Sequence, residues 1–221
     1  MRPSALLARL ALVPILGLLT ASAPPLRFIP LGSGQGLAAA EYRALWEAEG
    51  PRIVAALEAE TGLVVPSRPI DVIITDGPPM TSYDGRTIRL RGRYAPLYKR
   101  ATLVHELGHL LAFSLPDRGG LDDHRLLNLF LYDVWTELYG KAFADRMVQV
   151  EKRIEGPADY GAAWDWALAQ SRAQRRARLA ALRGPPRLGY EDVLAEPEPQ
   201  RPPRPRTLDP DRPAGEIDGM H

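Results

Sequence analysis

The segment that most constrains this chain is residues 102–111, where His105 and His109 stand four positions apart with Glu106 between them. On an α-helix, positions i and i+4 lie on one face, so both imidazoles can bind one metal ion. Glu106 is rotated by about 100° from His105 and can reach a water molecule on that ion. An ordinary core helix would have to bury Glu106 without such a partner, which is costly. The flanking apolar residues that predict a buried helix are Leu103, Val104, Leu107, Leu110 and Leu111.

This segment resembles the extended signature of the zincin metallopeptidases, in which uncharged residues surround the two histidines; Thr102 and Leu111 fit its first and last positions. The resemblance implies a zinc ion bound by His105 and His109. It also implies that Glu106 is the general base when a metal-activated water hydrolyses a peptide bond. Catalytic zinc sites use three protein ligands and keep a fourth position open. One more ligand is therefore expected elsewhere in the chain.

The third ligand separates the zincin subgroups. A metzincin would need a histidine six residues after His109, where Leu115 stands, so that subgroup is excluded. The compact gluzincin-like subgroup implies a glutamate from a later helix. Glu137 is the preferred candidate, because it falls on a mostly apolar helical stripe and small residues follow it. Many gluzincins carry an aspartate four residues after this glutamate, but Lys141 stands there, and Asp133 is the substitute that could orient the first histidine.

Helix geometry leaves alternatives open for this third ligand. If the chain downstream of the motif formed one straight antiparallel helix, Glu137 would lie roughly 13 Å too far along it. His124 would fit the height better, and the charged cluster at residues 122–125 indicates a helix start there. A site with Glu137 therefore requires a bend or break between about residues 121 and 131. His124 and Asp133 stay open as alternatives.

The order of predicted elements indicates an α+β fold. We expect a small zincin-like domain with N-terminal helices, a short mixed sheet over the motif helix and a helical C-terminal half. The second predicted strand alternates apolar and charged residues, which favours a sheet edge. The predicted helices cover residues 37–60 with an interruption at 50–51, then about 97–114, 122–154 and 159–182, and the predicted strands cover 70–75 and 87–91.

The two ends of the chain differ from this predicted domain at residues 24–183. Residues 1–23 combine positive charge, an apolar run and small residues, which is typical of a signal peptide or a membrane anchor. Residues 184–221 are rich in proline and predict a disordered tail. We therefore expect an exported protein that is secreted, periplasmic or tethered to the envelope by its N-terminus.

Composition narrows the partners and the chemistry. The formal net charge of +1 does not point to nucleic acid, and the absence of cysteine excludes disulfides and any site with a cysteine ligand. We expect a monomer that acts on a peptide or protein substrate, without a nucleic-acid partner. The last predicted helix carries a run of arginines that favours a solvated face, Arg172, Arg175, Arg176, Arg178 and Arg183.

Further candidates concern substrate binding. Residues 80–91 are a hypothetical edge strand to which a peptide could add, and Tyr160 or Tyr83 could stabilise the oxyanion. Two other functions remain open. One is a catalytically inactive zincin-like scaffold or binding protein of the envelope. The other is a DNA-associated metalloprotease that uses His124 as its third ligand.

Overall fold

The computed structural model describes residues 23–156 and 158–184, and over these ranges the chain has an α+β fold. The predicted export segment and the proline-rich tail lie outside these residues, except for Ala23 and Gly184, so both stay predictions. No helix in the described ranges is long and apolar enough to cross a membrane.

The elements are β1 (Leu26–Pro30), α1 (Gly36–Thr61), β2 (Ile70–Thr75), β3 (Met80–Thr81), β4 (Thr87–Arg91), α2 (Pro96–Phe113), α3 (Asp123–Asn128), α4 (Leu131–Tyr139), α5 (Lys141–Glu151), α6 (Tyr160–Leu168) and α7 (Arg172–Arg183).

The four strands form one mixed sheet in the order β1-β2-β4-β3. The pairs β1–β2 and β2–β4 are parallel, whereas β3 runs antiparallel to β4 and forms one edge of the sheet. Both predicted strands are present, and one face of each is fully buried, with Ile70, Val72 and Ile74 in β2 and Ile88 and Leu90 in β4. Strand β1 could not be predicted from the sequence, because it has only five residues, follows Pro24 and Pro25, and ends at Pro30.

The prediction that residues 87–91 form a sheet edge is wrong, because β4 pairs with β2 on one side and with β3 on the other. Its charged residues mark the partly exposed face of the sheet instead. Arg89 donates from Nε to the carbonyl oxygen of Pro78 at 3.0 Å, and Arg91 donates from Nε to that of Gly77 at 3.1 Å. These arginines hold the loop that leads into the true edge strand, β3.

Helix α1 is one continuous helix of 26 residues, although an interruption at Gly50–Pro51 was expected. Gly50 lies against the ring of Trp46, where an added Cβ would come within 2.8 Å of that ring. The glycine therefore serves close packing within the helix and does not end it. The helix ends at Gly62, which adopts a φ of 64°.

The predicted helix at 122–154 is divided into three helices. The first break lies at Leu129 and Phe130, within the window where a bend was required, and the second lies at Gly140, whose φ is 85°. Helix α3 begins as predicted, with the Asp122 side chain accepting a hydrogen bond from the backbone N–H of Arg125 at 2.7 Å. Because of this first break, α3 and α4 are separate helices and do not continue along one axis.

The arginines of α7 dock this helix onto the domain and do not form a simple solvated face. Arg175 is buried and donates from Nη2 to Oδ2 of Asp133 on α4 at 2.6 Å. Arg172 donates from Nη2 to Oε2 of the buried Glu60 on α1 at 2.6 Å. The expectation of a solvated basic face is therefore wrong for Arg175, which is buried, whereas Arg172, Arg176, Arg178 and Arg183 are exposed as expected.

Candidate metal centre

Helix α2 carries the motif through the centre of the domain. It begins at Pro96, a residue suited to the first helical position because that position needs no N–H partner. His105, Glu106 and His109 are all buried, as the apolar flanks predict. Gly108 allows α3 to approach, because an added Cβ there would lie 2.5 Å from Cδ1 of Leu127. A small residue at this position of the motif thus permits the close contact between α2 and α3.

This contact brings His124, near the start of α3, to the histidine pair of α2. One ring nitrogen from each of the three histidines lies within 4.8 Å of those of the other two. The Nε2 atoms of His105 and His109 are 3.1 Å apart. The ring centroid of His124 lies 5.8 Å from that of His105 and 5.1 Å from that of His109. The three imidazoles are therefore close enough to bind one metal ion.

The structure does not bring Glu137 to the histidines. Its side chain is exposed and lines a separate cavity between α1, α4 and α7, together with Arg52 and Arg172. Asp133 is also elsewhere, because it is buried in the ion pair with Arg175. The preference for Glu137 is corrected in favour of His124. A break does follow α3, but the direction that it gives α4 does not bring Glu137 to the motif, so the bend that a Glu137 site requires is present without producing that site.

Glu151 is the carboxylate that orients the first histidine. Its Oε1 accepts a hydrogen bond from Nδ1 of His105 at 2.7 Å, and its Oε2 accepts one from Nε1 of Trp164 at 2.9 Å. A proton held at Nδ1 leaves the lone pair of His105 on Nε2, the atom that faces His109. Glu151 thus has the role that was expected of Asp133. The role of Glu151 could not be predicted from the sequence, because no local pattern marks the last residue of α5.

Glu106 is held by the edge strand. The hydroxyl of Thr81 lies 2.8 Å from Oε2 of Glu106 and 2.8 Å from the backbone carbonyl oxygen of the same residue, so it can donate to either. Burial raises the pKa of Glu106, while the nearby His105 and the Thr81 hydrogen bond lower it, and the net effect is a raised pKa. The carboxyl group therefore holds a proton more readily than an exposed glutamate does.

The histidines differ in their affinity for protons. Burial lowers the pKa of His105, but the charge and the hydrogen bond of Glu151 raise it more, to about 9. The pKa of His109 is lowered well below its usual value by burial and then by the charges of His105 and His124. Burial and the charge of His105 also lower the pKa of His124. His109 and His124 are therefore favoured in the neutral form, which is the form that binds a metal.

A cavity of about 350 Å³ lies in front of His105 and Glu106. Tyr160 lines it, is half-buried and has its ring centroid 4.2 Å from that of His124. Tyr83 does not line it; its ring is 69% exposed, and its hydroxyl donates to Oδ2 of Asp123 at 2.7 Å. Of the two tyrosines considered from the sequence, only Tyr160 lies at the site.

No protein-family model, curated protein or solved structure matches this chain. Any functional conclusion therefore depends on the chemistry of the residues themselves.

Proposed function

We propose that this protein is a zinc-dependent metallopeptidase of zincin-like architecture, in which His105, His109 and His124 hold the metal and Glu106 is the general base. One observation carries this proposal. Three imidazoles converge within 4.8 Å, and Glu106, next to one of them in sequence, lines a cavity that a substrate can enter. A purely structural metal site would have no need of a carboxylate at that position.

The donor set fits zinc. Neutral imidazoles are common zinc ligands, and three protein ligands are the usual number in catalytic zinc sites. Glu151 holds the proton on Nδ1 of His105, so Nε2 is the ring atom that would bind the metal once it has released its own proton. When bound by the three histidines, zinc would act as a Lewis acid and lower the pKa of a bound water to about 7.

Glu106 supplies the proton transfers. Its carboxylate would take a proton from the attacking water as the water oxygen forms a bond to the carbonyl carbon of the peptide. The same carboxyl group would then give this proton to the amide nitrogen as the C–N bond breaks. A raised pKa supports both steps, because the group must gain and lose a proton near neutral pH. Thr81 would keep the carboxylate directed towards the cavity.

Tyr160 is the residue proposed to donate a hydrogen bond to the carbonyl oxygen as negative charge develops there. It lines the same cavity as Glu106. Burial, and then the charges of Glu151 and Glu106, raise the pKa of Tyr160, which keeps its hydroxyl protonated and able to donate. A fixed donor in a partly buried site stabilises such a charge more than a solvated donor does.

The edge strand β3 is the proposed support for the substrate backbone. It ends the described sheet, and its Thr81 contacts Glu106 directly. Pro78 and Pro79 precede it and have no N–H to donate, so a peptide can pair only with the residues that follow them. We therefore narrow the proposed pairing segment from residues 80–91 to β3 itself.

The alternatives are less well supported. His124 is the ligand expected for a DNA-associated metalloprotease, but the arginines that could have contacted DNA include Arg172 and Arg175, which are paired with carboxylates inside the domain. An inactive scaffold would not require the Thr81–Glu106 contact beside the cavity. We keep a peptide or protein substrate and, from the N-terminal sequence, an exported location as parts of the proposal.

The test is a comparison of Glu106→Gln with the wild type and with Glu137→Gln. The wild-type protein should cleave casein, and a zinc chelator should abolish this cleavage. Glu106→Gln should retain zinc but lose hydrolysis, because an amide cannot accept the proton. Glu137→Gln makes the same chemical change away from the histidines and should cleave like the wild type. If Glu106→Gln cleaves casein at the wild-type rate, the proposed role of Glu106 is wrong.

A further inference from the structure

A second cavity, of about 400 Å³, lies next to the one in front of Glu106. The two cavities share walls formed by the same four residues, Tyr94, Thr102, Glu151 and Ile154. One of these, Glu151, also holds His105. The second cavity therefore adjoins the candidate catalytic cavity.

The second cavity is apolar. Ala101 and Met147 are buried at its base, and Val150 of α5 lies beside them. Tyr94 and Tyr98 form an aromatic wall, with their ring centroids 6.3 Å apart and their planes inclined at 60°. Such a lining is typical of a pocket that binds an apolar group from a ligand.

Charge is confined to the margins of this cavity. Among the described residues that line it, only Arg93 and Glu151 are charged. Arg93 is exposed, and Glu151 is engaged by His105 and Trp164 on its two oxygens. Neither residue gives the base of the cavity a charge that would select a charged side chain. Ile154, which is 44% exposed, adds an apolar surface at the rim of both cavities.

The position of the second cavity along α2 indicates how far it lies from the peptide bond that would be cut. Thr102 lies at its boundary and precedes Glu106 by four residues, which is about 6 Å along a helix. Successive residues of an extended peptide advance by about 3.4 Å. Consider a bound peptide whose scissile carbonyl lies beside Glu106. One of the peptide residues next to or near the scissile bond would then place its side chain in the second cavity.

We propose that the second cavity is the subsite that binds a large apolar or aromatic side chain of the substrate close to the scissile bond. The substrates are thus peptides that are cut near residues such as Leu, Met, Phe or Tyr. This inference rests on the proposed peptidase function and adds the substrate class that the same site selects.

The first arm of the test is cleavage of a diverse peptide library by the full-length protein, with the cut sites identified by mass spectrometry. One position near the cut should favour large apolar side chains over Asp and Glu by about tenfold or more, the discrimination expected of an apolar pocket. Ile154→Asp should reduce this preference by about tenfold and increase the acceptance of Lys and Arg there. Val64→Asp is the matched control, because Val64 is 80% exposed and lines neither cavity.

A second variant changes the size of the pocket instead of its polarity. Ala101→Leu would occupy the base of the second cavity, so the preferred side chain should become smaller, such as Ala or Val. Ile154 lies on an exposed loop, so Ile154→Asp still tests the inference if Ala101→Leu does not fold.

The second arm measures binding without turnover. Full-length Glu106→Gln should bind a fluorescent peptide with Phe at the selected position about tenfold more tightly than the same peptide with Lys there. Adding Ile154→Asp should remove this difference.

If the wild type shows no chelator-sensitive cleavage, the peptidase proposal fails, and the binding arm still decides whether the cavity selects apolar side chains. If cleavage or binding shows no apolar preference, or Ile154→Asp leaves it unchanged, the subsite is refuted even where hydrolysis is observed.

Discussion

Oε1 of Glu151 lies 2.7 Å from Nδ1 of His105, although the two residues are 46 positions apart in the sequence. Its other carboxylate oxygen accepts the indole N–H of Trp164. Two donors from different helices therefore converge on one carboxylate. This arrangement fixes the ring of His105 and directs its Nε2 towards His109.

Replacing Glu151 should weaken metal binding. In Glu151→Gln, an NH2 group replaces one of the two oxygens that accept from His105 and Trp164, so one hydrogen bond is lost. We expect zinc affinity to fall by about 10- to 100-fold, measured by competition with a chelating dye. Glu155→Gln is a suitable control, since Glu155 is exposed and lines the catalytic cavity without a hydrogen bond to His105 in the described structure. Equal zinc affinity for Glu151→Gln and the wild type would contradict this role.

Replacing Thr81 should lower the rate of turnover without changing the metal content of the protein. Thr81→Val keeps the shape of the side chain but removes the hydroxyl that holds Glu106. Hydrogen bonds to charged groups contribute about 1.5–3 kcal/mol, so kcat should fall by about tenfold or more. Thr81→Ser retains a hydroxyl and should recover most of the activity. The positioning role would be wrong if Thr81→Val and Thr81→Ser had the same kcat, with equal zinc content in both.

Replacing Tyr160 should mainly lower kcat. Tyr160→Phe removes a donor from the cavity that contains Glu106. Loss of one oxyanion donor costs about 10²- to 10³-fold in kcat in other hydrolases, and we expect a decrease of that order with little change in KM. Tyr83→Phe removes an exposed hydroxyl outside the cavity and serves as the control. If the two variants had similar kcat and KM values, the proposed role of Tyr160 as the oxyanion donor would be wrong.

Stability should depend on pH through Glu49, which lies on α1 away from the histidines. Burial raises its pKa, but hydrogen bonds from Arg100 and Tyr139 and the charges of Arg100 and Arg52 outweigh this, so the net pKa is lowered from 4.5. A lowered pKa in the folded state means that the ionised form stabilises the fold above pH 4.5, and that this contribution is lost as the pH falls below it.

Glu49→Gln should therefore have a lower free energy of unfolding than the wild type at pH 7. The difference should shrink when urea unfolding is repeated at a pH far enough below 4.5 to protonate the wild-type carboxylate in the folded state. A difference that is the same at both pH values would mean that ionisation of Glu49 does not stabilise the fold.

The motif helix and two of its histidines could be predicted because their signal is local. A four-residue spacing and apolar neighbours are enough to place His105 and His109 on one face of a buried helix. The strands at 70–75 and 87–91 could also be predicted from local signals, namely a mainly apolar run bounded by proline and glycine in the first and strict alternation in the second. Their order in the sheet could not, since the pairing of β4 with the short β3 depends on a turn that alternation does not reveal.

The choice between His124 and Glu137 depended on non-local geometry. Both lie on helical segments, and the direction that α4 takes after the break at Leu129 and Phe130 leaves His124, and not Glu137, beside the motif. Gly140 then redirects the chain, and this turn brings Glu151 back to His105. Neither the direction of α4 nor the end point of α5 is specified by hydrophobic periodicity alone.

The most direct test is the zinc content of three purified full-length proteins, namely the wild type, His124→Ala and Glu137→Ala. The account predicts about one zinc ion per chain in the wild type and in Glu137→Ala, and a loss of about tenfold or more in His124→Ala. Full zinc content in His124→Ala, or loss of zinc in Glu137→Ala, would contradict the three-histidine site.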